Sequence, residues 1–397
     1  MPHILLSSVR LPKMPFEQES FQFLGQYFDE NTQDSLILVQ YQCKRFFLRM
    51  QQKKEGILVK CDKQSRISPV GILKNALMQI RNINADFCLR HNLSPNKPRQ
   101  EEENPYFYYS VQTLLQELHD HHFESVNLEI GFGSGRRILQ TAKQNPSSLW
   151  IGLEIHMPSI EQVLRQITLS QLENLRILSI DARLLLEVLP NQLLDEIVVH
   201  FPIPWKKLHR RVINDVFVAE VKRVLKPSGI LNLRSDDEEY FRQSLDLFLQ
   251  DSKSHIEIFK NRKIAVCSKY EERWLRQNKN IFDILYRPAL VKIAQEKADF
   301  SFTKEEAQGL YKYFQGSFMP FKQCFESAFL SIQQLFSNAE CKVIQLCFGS
   351  VTQPQSNYLL LFPDSAEYFN PPLNLAANRR IHQILKKYHQ SFIHSTI

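Results

Sequence analysis

From Val126 onward the chain repeats one pattern, a short apolar run followed by a longer stretch with helical spacing. The runs are "VNLEIG", "LWIGLEI", "LRILSI", "DEIVVHF", "GILNLRS" and "IFDILY". Helical segments of roughly ten residues or more separate most of them. Such alternation leaves few solutions, because helices between strands must cover the faces of a largely parallel sheet. The expected fold class is therefore α/β, Rossmann-like, with a mostly parallel sheet.

A chain of 397 residues is long for one core, so more than one domain is expected. With 43% hydrophobic and 23% charged residues, the composition excludes disorder on a large scale. Residues 1–95 form a small β-rich region with a helix: "DSLILVQYQCKRFFLRMQQKKEGILVKCDK" has strand character and "PVGILKNALMQIRNINADFCLRH" has helical spacing. The polar, proline-containing "NLSPNKPRQEEENPYF" separates it from an α/β domain at 105–290. A C-terminal extension, 291–397, holds a helix near "TKEEAQGLYKYF", strands in "KVIQLCFG" and "NYLLLF", and no chemical motif.

The net charge of +7 is mild, so any strongly basic surface has to come from clustering. Seven scattered cysteines, with no C-x-x-C and no histidine at metal-ligand spacing, predict reduced thiols and no metal. The run "MPHILLSSVRLPKMP" is too short for a signal peptide and no segment reaches bilayer length, so a cytoplasmic, non-membrane location is expected.

"NLEIGFGSGRR" sets Gly131, Gly133 and Gly135 between a strand and a helix, where backbone can approach a ligand closely. A dinucleotide fingerprint needs its third glycine one position later, where Arg136 stands. Glu129, two residues before the first glycine, disfavours a pyrophosphate and favours a cationic ligand. The next two strands end in Glu154 and Asp181. Three acids at successive strand ends suit the ammonium, ribose and adenine of S-adenosylmethionine.

The fourth strand runs into "HFPIPWKKLHRR", where a helix should begin. Pro202 and Pro204 stiffen the exit, and Ile203 and Trp205 project from it. Lys206, Lys207, His209, Arg210 and Arg211 are expected to flank the mouth and hold nucleic-acid phosphates. A tryptophan lid with a solvated basic helix face is the bland alternative.

"LEIGFGSG", "IGLEIH", "ILSIDA" and "FPIPWKK", followed by "LRSDDEEY" and "SKYEERW…IFDILY", resemble in order the motifs of the bacterial tRNA (guanine-N7-)-methyltransferases. The resemblance covers roughly residues 105–290 and leaves both terminal extensions outside it. It implies a class I S-adenosylmethionine-dependent methyltransferase with a seven-stranded sheet, acting on the variable-loop guanine of tRNA. By position it makes Glu129, Glu154 and Asp181, with the glycine loop, the cofactor site. Lys207, Asp236, Ser268 and Glu271 become the substrate site, with Asp236 and Glu271 the candidate catalytic acids. Ile203 departs from the pattern, standing where the family has the aspartate of Pro-Asp-Pro-Trp, and Ser268 replaces a usual threonine. Asp237, Glu238 and Glu239 are expected to serve a helix start.

The departure at Ile203 keeps open an RNA-binding protein of the same fold with reduced or lost catalysis. A methyltransferase for small molecules leaves the basic stretch unexplained, and a nicotinamide dehydrogenase fits the glycine spacing poorly. Lys44, Arg45, Arg49, Lys53 and Lys54, interleaved with Phe46 and Phe47, either extend an RNA footprint or form a solvated β face. Oligomeric state is not readable from the sequence.

Overall fold

Strands covered on both faces need apolar side chains at consecutive positions, and Ser125–Ile130 and Ser148–Leu153 are buried at every residue after the first. They lie near the middle of an eight-stranded sheet in the computed structural model. The structure describes residues 2–29, 31–65, 67, 69–93, 104–108, 110–266, 271, 276–289, 291, 298–315 and 318–387. Two units emerge, one of residues 104–296 and one combining 1–103 with 297–397.

Within 104–296 the strands are β1 (Phe107–Tyr108), β2 (Ser125–Ile130), β3 (Ser148–Leu153), β4 (Leu175–Leu178), β5 (Leu194–His200), β6 (Leu225–Ser235), β7 (His255–Lys260) and β8 (Phe282–Arg287), ordered β7-β8-β6-β5-β2-β3-β4-β1. Neighbours from β1 to β6 are parallel, whereas β8 runs antiparallel to β6 and β7. Strand order reverses between β2 and β5, which opens a crevice at the carboxyl ends of both strands. β7 and β8 complete the expected seven strands, and the two-residue β1 adds an eighth at the edge.

The helices are α1 (Val111–Asp120), α2 (Arg136–Gln144), α3 (Met157–Ser170), α4 (Ala182–Val188), α5 (Asp215–Val224) and α6 (Glu238–Leu249). Ile138 and Ala142 of α2 and Ile160, Val163 and Ile167 of α3 join Trp150, Ile177 and Val198 in one core. Gly152 lets α2 lie close, since a Cβ there would come within 2.9 Å of the Ile138, Ile177 and Phe132 side chains. No helix starts at the prolines after β5: Leu208–Arg210 form a single 3-10 turn. α5 begins at Asp215, where the Asn214 side chain accepts the Phe217 N–H. An amide cap and a first-turn aspartate suit a helix start, so the cations avoid that end of the dipole.

The other unit is an antiparallel, 12-stranded sheet drawn from both ends of the chain, joined where Ser337 pairs with Phe28. The segments set apart in the sequence as 1–95 and 291–397 therefore share one sheet. Helix Val70–Ile83 covers one face of the N-terminal strands. It ends earlier than its spacing suggests, and the chain continues as a 3-10 turn and the strand Cys88–His91. Across the other face, Tyr27, Leu36, Leu38 and Phe47 pack with Phe336, Val343, Tyr358, Leu360 and Phe369. Helices Lys304–Tyr313 and Ala376–Lys387 pack on the C-terminal strands, the first opening with a reciprocal cap between Thr303 and Glu306. Among the described residues no helix is long and apolar enough to cross a membrane.

Phe47 is fully buried, with ring centroids of Phe369 and Tyr358 at 4.8 and 5.0 Å. Phe47→Ala should destabilise this unit by about 3–5 kcal/mol. Denaturant unfolding of the full chain measures the loss, and a cost below about 1 kcal/mol would contradict the shared core.

Candidate active site

Leu178, Leu153, Ile130, Val199 and Leu233 lie opposite one another across β4, β3, β2, β5 and β6. The next residues, Ser179, Glu154, Gly131, His200 and Arg234, consequently emerge at one level. Above β2, Gly131, Gly133 and Gly135 have φ of +73°, +54° and +71°, a left-handed region that side chains disfavour. A Cβ on Gly135 would strike Val163 at 2.2 Å, so this glycine seats α2 against α3. At Gly131 a Cβ would meet nothing within 4 Å, and at Gly133 only a carbonyl oxygen at 4.0 Å. Those two leave a concavity where backbone can face a ligand.

Glu154 braces this loop. Its Oε2 accepts the Gly133 N–H at 3.0 Å, while Oε1 accepts those of Ile155 and His156 at 2.8 and 3.0 Å. Asp181 caps α4 by accepting the Arg183 N–H at 2.9 Å, and it pairs with that guanidinium at 2.6 Å. Burial raises the Asp181 pKa, but the Arg183 hydrogen bonds outweigh it and hold the carboxyl below its ordinary value. Glu129 is 4% exposed and 3.0 Å from Arg137. Burial pushes its carboxyl up, and Arg137 only partly counters this. Arg137 also reaches Glu196 at 3.4 Å and lies over the Trp150 ring. Only Glu154 directly follows its strand: Glu129 lies inside β2 and Asp181 three residues beyond β4, and both of these are already paired with arginine.

Beyond β5 the chain turns through Phe201, whose φ is +51° and whose N–H donates to the Arg234 carbonyl at 2.7 Å. Ile203 and Trp205 come next, 60% and 44% exposed, with Lys206 and Lys207 also exposed. Arg210 lies 5.9 Å from the Trp205 ring centroid. Arg211 does not flank the mouth: it is 2% exposed and donates to the Trp205 carbonyl at 2.7 Å, to Glu239 at 2.9 Å and to Gln243. It fastens the proline segment to α6. The His209 side chain, Ser268 and Trp274 lie outside the described residues.

Asp236 is partly exposed and pairs with Lys279 at 3.3 Å. Asp237 caps α6 by accepting the Tyr240 N–H at 2.7 Å, with Glu238 and Glu239 in the first turn, as expected. Glu271 does not stand on an exposed rim. It is 1% exposed and accepts from Arg234 at 2.8 Å. Arg234, itself buried, also holds Asp283 at 2.6 Å and donates to the Arg262 carbonyl at 2.8 Å. Burial, then Arg137 and Arg234, depress the His200 pKa well below its ordinary value, so the imidazole stays neutral. Sequence reasoning misses Arg137, Arg234 and His200 as site-forming residues, and it misplaces Arg211. The one visible signal is an arginine closing the mostly apolar "ILNL" run.

A parallel sheet that reverses beside a glycine loop, with carboxylates closing the next two strands, defines a class I S-adenosylmethionine-dependent methyltransferase. The concavity over Gly131 and Gly133 and the Glu154 and Asp181 carboxylates fit that cofactor. A family model described as "Putative methyltransferase" matches residues 124–284. The chain is 42% identical to a tRNA (guanine-N(7)-)-methyltransferase of Helicobacter hepaticus, covering 90% of this chain and 91% of that protein. It is 35% identical to the enzyme of that name from Wolinella succinogenes, covering 98% and 100%, and 30% identical to that from Campylobacter fetus, covering 98% of each. The chain belongs to the tRNA (guanine-N(7)-)-methyltransferase family, and these relatives match through both terminal regions as well as the α/β unit.

Glu154→Gln replaces one accepting oxygen with an amide that faces N–H donors. Losing a charge-assisted bond costs about 1.5–3 kcal/mol, so S-adenosylmethionine affinity should fall at least roughly tenfold. Calorimetric titration checks this, and unchanged affinity would remove Glu154 from the cofactor site.

Proposed function

We propose that this enzyme transfers the methyl group of S-adenosylmethionine to N7 of a guanine in tRNA, the variable-loop guanine being the target. The supporting observation is the exposed Ile203-Pro204-Trp205-Lys206-Lys207 segment leaving the sheet beside the glycine loop's strand, in a chain related over nearly its whole length to enzymes of that name. Lys207 and its neighbours hold phosphate, while Trp205 and Ile203 offer apolar surface to a base. Gly131, Gly133, Gly135, Glu154 and Asp181 hold the cofactor, with Glu129 acting from beneath through Arg137. When bound, S-adenosylmethionine supplies an electrophilic methyl on a sulfonium centre.

Guanine N7 carries an unshared pair in the neutral base, so no residue has to remove a proton before attack. Positioning then carries most of the rate, and Ile203 serves as an apolar wall where the Pro-Asp-Pro-Trp pattern has a carboxylate. Positive charge builds on the purine during transfer, and a nearby carboxylate stabilises it. Two acids compete for that role. Freeing Glu271 means breaking a buried pair, at about 3–5 kcal/mol, whereas the exposed Asp236–Lys279 pair is worth roughly 0–1 kcal/mol. Asp236 is therefore the acid that meets the base, and Glu271, through Arg234, fixes the wall behind it. Ser268 belongs to the same substrate region by sequence position.

Purified protein incubated with S-adenosylmethionine and unmodified tRNA should yield a single N7-methylguanine in the variable loop. Asp236→Asn should lower kcat by about tenfold or more while cofactor affinity stays unchanged. Cofactor binding without any N7-methylguanine would favour the RNA-binding reading that Ile203 keeps open. With no base required and His200 neutral, kcat should be flat between about pH 6.5 and 8.5. A limb near the ordinary histidine pKa that disappears in His200→Gln would contradict this chemistry.

A further inference from the structure

Four lysines crowd one face of the antiparallel unit. Lys53 and Lys54 stand at the tip of the hairpin joining strands Lys44–Lys53 and Gly56–Cys61. Lys60 pairs across the sheet with His3 on one side and Arg49 on the other, and Lys63 lies just past the strand. Lys53, Lys54, Glu55, Arg90 and His3 surround a half-open depression of ≈ 310 Å³ floored by Leu5 and Leu58. The register that sets Leu5 opposite Leu58 and Arg90 makes this a single sheet face.

Acids do not balance it. Glu55 is paired with Arg90 at 2.9 Å, and Asp34 with Arg49 at 3.0 Å. Among the described residues Lys53, Lys54, Lys60 and Lys63 make no ion pair. Partial burial, then Lys53, Arg49 and Lys63, lower the Lys60 pKa, so these cations are held together against their own repulsion. Other residues of this region have partners further along the chain. Arg45 bonds Glu367 at 3.1 Å and lies over the Phe369 ring, and Phe46 and Phe47 are buried. The Phe46 and Phe47 rings, being buried, offer no surface for stacking on bases.

We propose that the face formed by Lys53, Lys54, Lys60, Lys63 and Arg90 is a second tRNA contact, holding backbone phosphates independently of the Lys206-Lys207 segment. The proposal rests on tRNA being the substrate. The cations spread over four adjacent strands, a width of about 14 Å, which suits a row of phosphates better than a single small anion. With no base-reading aromatic exposed in the depression, the contact adds affinity and salt dependence without sequence preference.

The test uses full-length Lys53→Ala/Lys54→Ala protein and the triple variant that adds Lys60→Ala. Unmodified tRNA affinity is measured over a range of salt concentrations, with S-adenosylmethionine affinity and thermal unfolding as controls. The triple variant should bind tRNA roughly tenfold more weakly, and the slope of log K against log salt should fall by about two. Cofactor affinity should not change. Lys53 and Lys54 are exposed, so the double variant decides the matter if loss of half-buried Lys60 impairs folding. tRNA affinity and slope unchanged to within about twofold would overturn the proposal. Wild-type protein that binds tRNA but forms no N7-methylguanine overturns the assigned reaction and leaves the second contact standing.

Discussion

The register of one row of side chains governs the catalytic unit. Leu178, Leu153, Ile130, Val199 and Leu233 are all buried, and parallel pairing holds them level across five strands. Slipping one strand by a residue would exchange the side chains it presents to the helices on its two faces, so the packing of this row locks the register. The starting point of every loop at this edge is thereby set as well. The glycine loop, Glu154 and the turn at Phe201 leave the sheet at the same height, on either side of the reversal between β2 and β5. Loops can supply chemistry here because rigid strands decide where each one begins.

Charge is handled locally at this edge. Glu129 and Asp181 each meet an arginine, while among the described residues Glu154 meets backbone N–H groups and no arginine. Three unpaired acids would attract a cationic cofactor, but they would also repel the phosphates of a polyanionic substrate. Pairing two of them leaves one local negative charge next to the cofactor loop and little field beyond it. The same economy governs Arg234, whose guanidinium lies between the Glu271 and Asp283 carboxylates inside the protein. Removing one partner of such a buried cluster costs about 3–5 kcal/mol, so it acts as a rigid wall. Nearby His200, kept neutral, adds no charge to it.

Much of this is legible in the sequence, and the misses share a cause. Strands buried on both faces declare themselves as short runs dominated by apolar residues, and three glycines after the first of them locate the loop. β7 gives no such sign because His255–Lys260 is an edge strand with no buried residue and no apolar run. The helix after β5 starts at Asp215 because Asn214 and Asp215 supply the cap and first-turn charge that Lys206 and Lys207 cannot. Arg211 and Glu271 read as surface charges since their partners, Gln243, Glu239 and Arg234, lie 28 to 37 residues away. Spacing along a chain reveals helix faces and strand alternation, but it does not reveal which distant group will neutralise a buried charge.

That limit applies most strongly to the terminal regions. The N-terminal strands have two apolar faces, and their own helix Val70–Ile83 covers only one. Tyr27, Leu36, Leu38 and Phe47 on the other are covered by Phe336, Tyr358 and Phe369, 289 to 342 residues later. Across the same junction Gln334 bonds Asp29 at 2.9 Å, and Arg49 bonds both Gln334 and Asp34. The catalytic unit is thus an insertion into a second fold whose sheet is complete only when both ends of the chain have met. Loop closure over such a distance costs entropy that grows only slowly with length, whereas burying one Phe47-sized side chain returns about 1.5–3 kcal/mol. A handful of aromatic contacts therefore suffices to join the two segments. Because Lys53 closes the strand that carries Phe47, and Lys60 lies on the strand paired with it, the basic face is held on the same framework that unites the chain's two ends.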